Sequence, residues 1–528
     1  MLKHFWNSLR QARGSRKAGS KRVSVDSNAA TDARVETMRQ ADLSFSAQRF
    51  AEALPLYEKL YAENAQDSFV ILRLGMVYGA SGRLDEAEEF LGRAAQSHPA
   101  SGALLNAQAN VAWLRAQWPL AEQRFRRALE VDPSNATLWA NFGLCLHDAG
   151  RLDDAAVALR RAIGIDPHHA DARVNAALVC MDLGDVAAAG AHLQRALELA
   201  PDFAEAHTLR AQLLLQREDY AEGWREYEWR FRCGSGRSGE EHVLPRWDGG
   251  ADAARTLRIY AEQGLGDQIM FASCFADVLQ RMPHCEVECD PRLVGLFARS
   301  FPAMRVHAEA TQPDRQWAAV RPDKACQMHC GSLPQLFRRS RADFPRHSGY
   351  LKADPEKMAD WSGRLSALGT GLKVGIAWRG GVPRTRQAMR SIPLAQWLPL
   401  LKNNGVQFVS LQHGACTEEL NAIATGNNIR IAHWQQAVDD CDESAALISS
   451  LDVVITVCGS VVHLAGALGK PTWVLVPACP EWRYLDSGGE MPWYPAVRLF
   501  RQSVAGAWQG PFADIMQRLA TAQQRRQD

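Results

Sequence analysis

Four prolines, Pro99, Pro133, Pro167 and Pro201, stand 34 residues apart, and no other regularity of this chain constrains its fold so tightly. The same interval links Ala87, Ala121, Ala155 and Ala189, and again Ala94, Ala128, Ala162 and Ala196. Apolar residues keep the step at Leu91, Phe125, Leu159 and Leu193, and small residues keep it at Gly75, Ala109, Gly143, Ala177 and Ala211. A small side chain at a fixed point lets two antiparallel helices approach closely. A proline then ends the second helix of each pair before the next pair begins. These rows predict about six stacked helical hairpins over residues 34–232, the first a weaker copy (Phe50, Ala53, Tyr57, Leu60).

The pattern resembles the tetratricopeptide repeat (TPR). The last copy departs from it: "EGWREYEWRF" has Gly223 at the small position and adds Trp224, Tyr227 and Trp229. Terminal repeats deviate because they cap the stack or dock it on something else, so this aromatic cluster is expected to pack against the second half of the chain. An array of this kind curves into a superhelix whose concave face holds a protein partner.

Composition bounds the rest. A chain of 528 residues exceeds one ordinary core. A formal net charge of +1 gives no global field that would argue for nucleic acid. Between Lys3 and Arg22 stand seven basic residues and no acid, so residues 1–33 are read as a basic, disordered head. No stretch approaches a membrane span or a secretory signal, and the expectation is a cytoplasmic protein with reduced thiols. The cluster His284, Cys285, Cys289, Cys326, His329 and Cys330 lacks a standard zinc spacing and is read as buried or idle thiols.

After a linker over 233–256, short apolar runs alternate with amphipathic segments, which predicts α/β lobes over 257–360 and 361–528. "LRIYA", "KVGIAW", "VQFVSL", "DVVITV" and "TWVLV" read as strands; Met270–Gln280, Leu394–Asn403 and Ser460–Leu468 read as helices. In the second lobe, the amides of Gly459, Ser460 and Val461 open a helix and suit a diphosphate, with His463 in the first turn to add a hydrogen bond or a charge. Arg379, Gly380, Gly381, Arg384, Arg386 and Arg390 form a basic glycine loop after one strand, and Gln412 and His413 end the next. In open α/β sheets, ligands bind at that edge. The first lobe carries a different loop, "AEQGLGDQIMFA", with Gly264, Gly266, Asp267 and Gln268. A carboxylate there occupies the place of a phosphate, or serves only as a helix cap.

"EQGLGDQIMFA", "SIPL", "SLQ", "SVVHLAGALGKPTWVLVP" and "PWYPAVRLFRQ" together resemble the bacterial TPR glycosyltransferases, whose catalytic half is similar to heptosyltransferases and has the GT-B fold. The implied class is α + α/β, an all-α TPR superhelix followed by two Rossmann-like lobes. The resemblance implies a nucleotide-sugar donor held by the second lobe and a protein acceptor, such as flagellin, brought by the repeats. It implies Asp267 as general base of a single inverting displacement, with Gly264, Gly266 and Gln268 beside it on the acceptor side. Arg379, Arg390, Gln412, His413, Gly459, Ser460, Val461 and His463 are implied on the donor side, with Glu418 or Glu419 at the ribose. No cofactor or metal is expected, since basic side chains and a helix dipole stabilise a leaving diphosphate.

Where relatives read V-D-T-S, Cys458 and Gly459 replace the Asp-Thr pair, a departure that bears on donor binding. Asp440-Cys441-Asp442 is read as a capped loop rather than a metal motif. Trp482, Arg483, Tyr484, Trp493 and Tyr494 are read as a seal between lobes, the alternative being aromatic faces that stack on sugar or base with Arg483 meeting a phosphate. Residues 504–525 are expected to form a helix returning onto the first lobe. The rival reading is a TPR adaptor whose GT-B half no longer works; a third keeps the enzyme but gives it a glycan acceptor.

Overall fold

A computed structural model describes residues 28–47, 49–97, 101–233, 244–309, 324–381 and 387–527. Pro99, Arg384, Arg386, most of the basic head and residues 234–243 of the linker lie outside the described residues. The chain divides into two compact units, one ending at Ala206 and the other beginning at His207.

In the first unit, antiparallel helix pairs run from Asn28–Ser46 with Phe50–Glu63 to Ala170–Leu183 with Val186–Leu199. The first helix starts at Asn28, inside the span read as head. The rows in the sequence are contacts between paired helices. A methyl group added at Gly75 would sit 2.8 Å from Leu91, and one added at Gly143 would sit 2.7 Å from Leu159. The alanine rows are buried at the same seam. Asp67, Ser101, Asn135 and His169, again 34 apart, each accept amide hydrogen bonds as N-caps. Along these helices His147 is wedged between Asp182 (2.7 Å) and Asp148 (3.2 Å), and Trp113 donates to Asp148. Burial alone would lower its pKa, but hydrogen bonds and charge from both aspartates lift it to about 9.

The second unit holds the last helical pair, Ala204–Gln216 (from His207 onward) with Tyr220–Tyr227, and two wholly parallel sheets. The first sheet orders β3 (Met304–Ala308), β2 (Cys285–Cys289), β1 (Thr256–Tyr260) and β4 (Ala325–His329). The second orders β10 (Val497–Arg501), β9 (Thr472–Val476), β8 (Val453–Val457), β5 (Leu372–Ala377), β6 (Val406–Ser410) and β7 (Ala432–His433). This second order is that of a doubly wound α/β sheet, with its switch point between β5 and β8. The predicted α + α/β class stands, and each of the five strands read from the sequence is present.

Three expectations change. The helix read over Leu394–Asn403 is a 3-10 turn, Leu394–Trp397, followed by one short α-helical turn, Leu398–Leu401. The helix read from Met270 begins earlier, at Leu265, and is interrupted by a 3-10 turn at Ala272–Cys274 before Phe275–Arg281. The terminal helix, Gln509–Gln527, does not return to the first lobe. Its stripe of Phe512, Ile515 and Leu519 joins the core of the second sheet with Trp397, Val406 and Phe408.

The last helical pair is welded to the α/β lobes. Trp224 donates to the Arg338 carbonyl (2.8 Å) and packs edge-on against Trp482 and Trp493, as expected of this aromatic cluster. Beside it, Arg230 is buried at 2% exposure and grips Glu262 with two hydrogen bonds of 2.7 and 2.8 Å. Glu262 also accepts from the Gly331 amide (2.7 Å), at the carboxyl ends of β1 and β4. That is the switch point of the first sheet, so this crevice is filled by the chain's own ion pair.

Candidate functional site

The corresponding crevice of the second sheet is open. A cavity of about 560 Å³ lies over the carboxyl ends of β5, β6 and β8 and reaches the first lobe at Gly264, Leu265, Gly266 and Arg292. Three backbone features shape it.

The first is the start of the Ser460–Ala467 helix, where the Ser460 and Val461 amides have no carbonyl one turn back to bond to, while the Val462 amide bonds to the Gly459 carbonyl at 3.1 Å. Gly459, Ser460 and Val461 line the cavity, as read from the sequence. The second is the loop after β5, where a methyl group on Gly380 would lie 2.0 Å from the Cys458 carbonyl oxygen. Only a glycine lets this loop press on the strand end beside the helix start. The third is Gly266, where a methyl group would approach the His463 ring to 2.9 Å and the Ser460 Cα to 3.5 Å. Here the first lobe's glycine loop rests on the second lobe's helix, so Gly266 is an inter-lobe contact. The preceding turn is tight, with Gln263 at φ 62° and its side-chain amide bonded to the Tyr227 hydroxyl.

Side chains complete the site. Arg379 and Arg390 line the cavity from the β5 loop, and Arg292, which the sequence reading missed, lines it from the first lobe. Arg379 is steadied by the Ala415 carbonyl (2.6 Å) and Glu419 (3.3 Å), Arg292 by a two-pronged pair with Asp290. Glu419 therefore holds an arginine, and neither it nor Glu418 is among the lining residues. Gln412 lines the cavity, yet its amide oxygen is taken by the Trp378 and Arg379 amides (3.0 and 2.8 Å), so it fixes the β5 loop. His413 lines the cavity beside Gly414. Gln268 does not: it accepts from the Asp290 amide at 2.8 Å and braces the loop that carries Arg292.

His463 also lies outside the lining residues. Its ring pairs with the Tyr494 hydroxyl at 3.0 Å, and burial, aided by the nearby Arg483 charge, drives its pKa down to about 3. Of the two contributions expected of it, a hydrogen bond or a charge, the depressed pKa removes the charge, and the ring's hydrogen bond goes to Tyr494. The Cys458 thiol points inward to the Leu475 carbonyl, and burial lifts its pKa to about 12. The departure at position 458 thus places no side chain in the cavity.

Asp267 sits just behind the cavity wall. Its Oδ1 accepts from Nε of Arg483 at 2.8 Å and its Oδ2 from the Gly264 amide at 3.4 Å. The N-cap of the helix that begins at Leu265 is Gly264 and not Asp267; Asp267 stands at N3 and reaches back to the Gly264 amide, and it is also half of an ion pair that nothing in local sequence announces. Arg483 lies 3.8 Å from Glu481, which pairs with Arg390 at 2.6 Å. Asp440 accepts from the Asp442 and Glu443 amides as a helix cap, and Asp442 pairs with Arg299. Cys285, Cys289, Cys326 and Cys330 are buried thiols. Among the described residues, no helix is long and apolar enough to cross a membrane.

Residues 44–111 and 146–213 match one tetratricopeptide-repeat family model, and residues 106–170 match another. The helical half is a TPR array. Over 338 residues the chain is 32% identical to Protein FlbA of Caulobacter vibrioides, covering 59% of this chain and 54% of that protein. The chain thus spans about half the length of the curated relative it matches. A likeness over 59% of the chain exceeds everything up to Tyr227, so it extends into the α/β half. Among solved structures, a thermophilic TPR protein of Thermus thermophilus is 21% identical over 34% of this chain and 99% of its own, with a TM-score of 0.33. PilF of Pseudomonas aeruginosa is 25% identical over 32% of this chain and 78% of its own, with a TM-score of 0.30.

Proposed function

We propose that this chain is a glycosyltransferase that moves a sugar from a nucleotide-sugar donor to a protein bound by its repeats. The observation that carries the reading is one cavity with two different walls. On one side are helix-start amides, Arg379 and Arg390 at the switch point of a doubly wound sheet. On the other is the Gly264–Gly266 loop, with Asp267 immediately behind it. The first wall suits a nucleotide's phosphates, because amides and guanidinium groups neutralise them without a metal. The second suits an acceptor hydroxyl.

The reaction is a single displacement. The acceptor oxygen attacks the anomeric carbon, the bond to the phosphate oxygen breaks, and the configuration inverts. The acceptor proton passes to the Asp267 carboxylate. The departing nucleotide carries the bonding pair away as phosphate charge, which the amides of Ser460 and Val461 and the side chain of Arg390 stabilise. The TPR array supplies the acceptor, for which flagellin in the cytoplasm is the candidate raised by the sequence resemblance.

A second reading, a TPR adaptor with an inactive α/β half, draws on one observation: both oxygens of Asp267 are already engaged. Titration calorimetry of the full chain with a panel of nucleoside diphosphates decides between them. Micromolar binding of one nucleotide, abolished in Arg390→Ala, is the expected result. No binding across the panel would refute the donor site and leave the adaptor.

A further inference from the structure

Arg390, Glu481, Arg483 and Asp267 form a row of alternating charge that runs from the cavity wall to the acceptor-side loop. The contacts are 2.6 Å from Arg390 to Glu481, 3.8 Å from Glu481 to Arg483 and 2.8 Å from Arg483 to Asp267. The two middle members are largely buried and lie two residues apart on the loop after β9. Trp482 between them is wedged against Trp224 and Tyr227, which pins the backbone and leaves only side chains to move.

We infer that Glu481 and Arg483 are positioning residues that couple anion binding at Arg390 to the release of Asp267, an inference that rests on the cavity being a nucleotide-sugar site. As the row stands, each charge has a close partner of opposite sign. A diphosphate on Arg390 makes Glu481 a surplus carboxylate beside a polyanion. Its nearest other cation is Arg483, which Oε2 already approaches. As Glu481 turns to Arg483, that guanidinium divides its charge between two carboxylates, and its hold on Asp267 weakens. Asp267 is thereby free to take the acceptor proton only when a donor is in place, which guards the donor against premature attack. Coupling of this kind is reciprocal: whatever loosens Arg483 from Asp267 must strengthen anion binding at Arg390, in the opposite lobe.

The test is a double-mutant cycle on the full chain, with inorganic pyrophosphate as the titrant in calorimetry and thermal unfolding to confirm that each variant is folded. Asp267→Asn keeps the shape and removes the charge, so Glu481 can settle on Arg483 and leave Arg390 to the anion. Pyrophosphate is expected to bind about fivefold more tightly to it. Glu481→Gln alone should tighten binding as well, and adding Asp267→Asn to it should give no further gain. A simple through-space charge effect would persist in the Glu481→Gln background, so an equal gain there overturns the coupling, as does an unchanged affinity in Asp267→Asn alone. Should Glu481→Gln fail to fold, Arg483→Lys replaces it. One ammonium cannot bridge both carboxylates, and the Asp267→Asn gain should again vanish. Failure of the unaltered chain to bind pyrophosphate or any common nucleoside diphosphate removes the donor site itself, and the coupling with it.

Discussion

Alanine placed at Gly380 and at Gly459 should have unequal consequences, although both glycines line the same cavity. At Gly380 the new methyl group would lie 2.0 Å from the Cys458 carbonyl oxygen and 3.1 Å from that of Arg390. Both neighbours are backbone, fixed by strand and loop, so neither can swing aside. Overpacking against a rigid wall costs about 3 kcal/mol, and the relief available is to push the β5 loop away from the helix start. At Gly459 the nearest atom is 3.5 Å away, an ordinary contact, and the φ of −177° is open to any residue. Alanine is a poorer N-cap than glycine by several tenths of a kcal/mol, but it also restricts the unfolded chain, a gain of about 0.5 kcal/mol. The two terms nearly cancel. Thermal unfolding should show Gly380→Ala about 5 °C or more below the parent chain, with Gly459→Ala within about 1 °C of it. Nucleotide or pyrophosphate affinity should fall only in Gly380→Ala, where the arginine loop has shifted. Equal destabilisation by the two substitutions would refute the argument, as would a neutral Gly380→Ala.

Three other outcomes follow from the same structure. The His147 charge is held by Asp148 and Asp182, so its folded pKa of about 9 exceeds the unfolded value. The stability this contributes, about 3 kcal/mol, is complete below about pH 6.5 and lost as pH rises towards 9. Denaturant midpoints for the helical array should fall over that range, and His147→Gln should remove the slope. His463 has the opposite sign: its folded pKa is depressed to about 3, so stability of the α/β unit should decline as pH drops below about 6.5, where the unfolded ring gains a proton that the folded one refuses. Unfolding monitored by aromatic signals between pH 7 and 4 checks this. Arg230→Met leaves Glu262 buried without its cation and should cost about 3–5 kcal/mol, read as a lowered thermal midpoint. Adding Glu262→Gln should recover much of that loss.

How much of this could be read from the chain depends on how far each contact reaches along it. Gly75 against Leu91 is a contact within one hairpin, repeated every 34 residues, so a single sequence displays it several times over. Strands β1, β5, β6, β8 and β9 were equally legible as apolar runs. "CEVEC", "MRVHA" and "ACQMH" were not, because β2, β3 and β4 carry Glu, Arg, His and Gln at alternate positions, and edge strand β3 exposes Arg305 and His307. The terminal helix advertised an apolar stripe, but a stripe records that a helix packs, not on which sheet. The ion pair on Asp267 joins residues 216 apart, and no local pattern encodes it.

The same distinction bears on Cys458 and Gly459. Judged by side-chain type they break the pattern of the resembling family, and the loss of a carboxylate suggests a damaged site. Their side chains, however, contribute nothing to the cavity wall: the thiol faces β9, and position 459, whose backbone lines the cavity, has no side chain to offer. What lines the cavity there is backbone, the amides at the start of the 460–467 helix. Backbone is indifferent to side-chain identity so long as it is held in place, and it is held by Gly380 and Gly266, whose missing Cβ atoms let a loop and a helix close on it from two directions. The residues that keep this cradle intact are therefore the glycines facing it. Substitution at 458 by another small, buried side chain leaves its geometry unchanged.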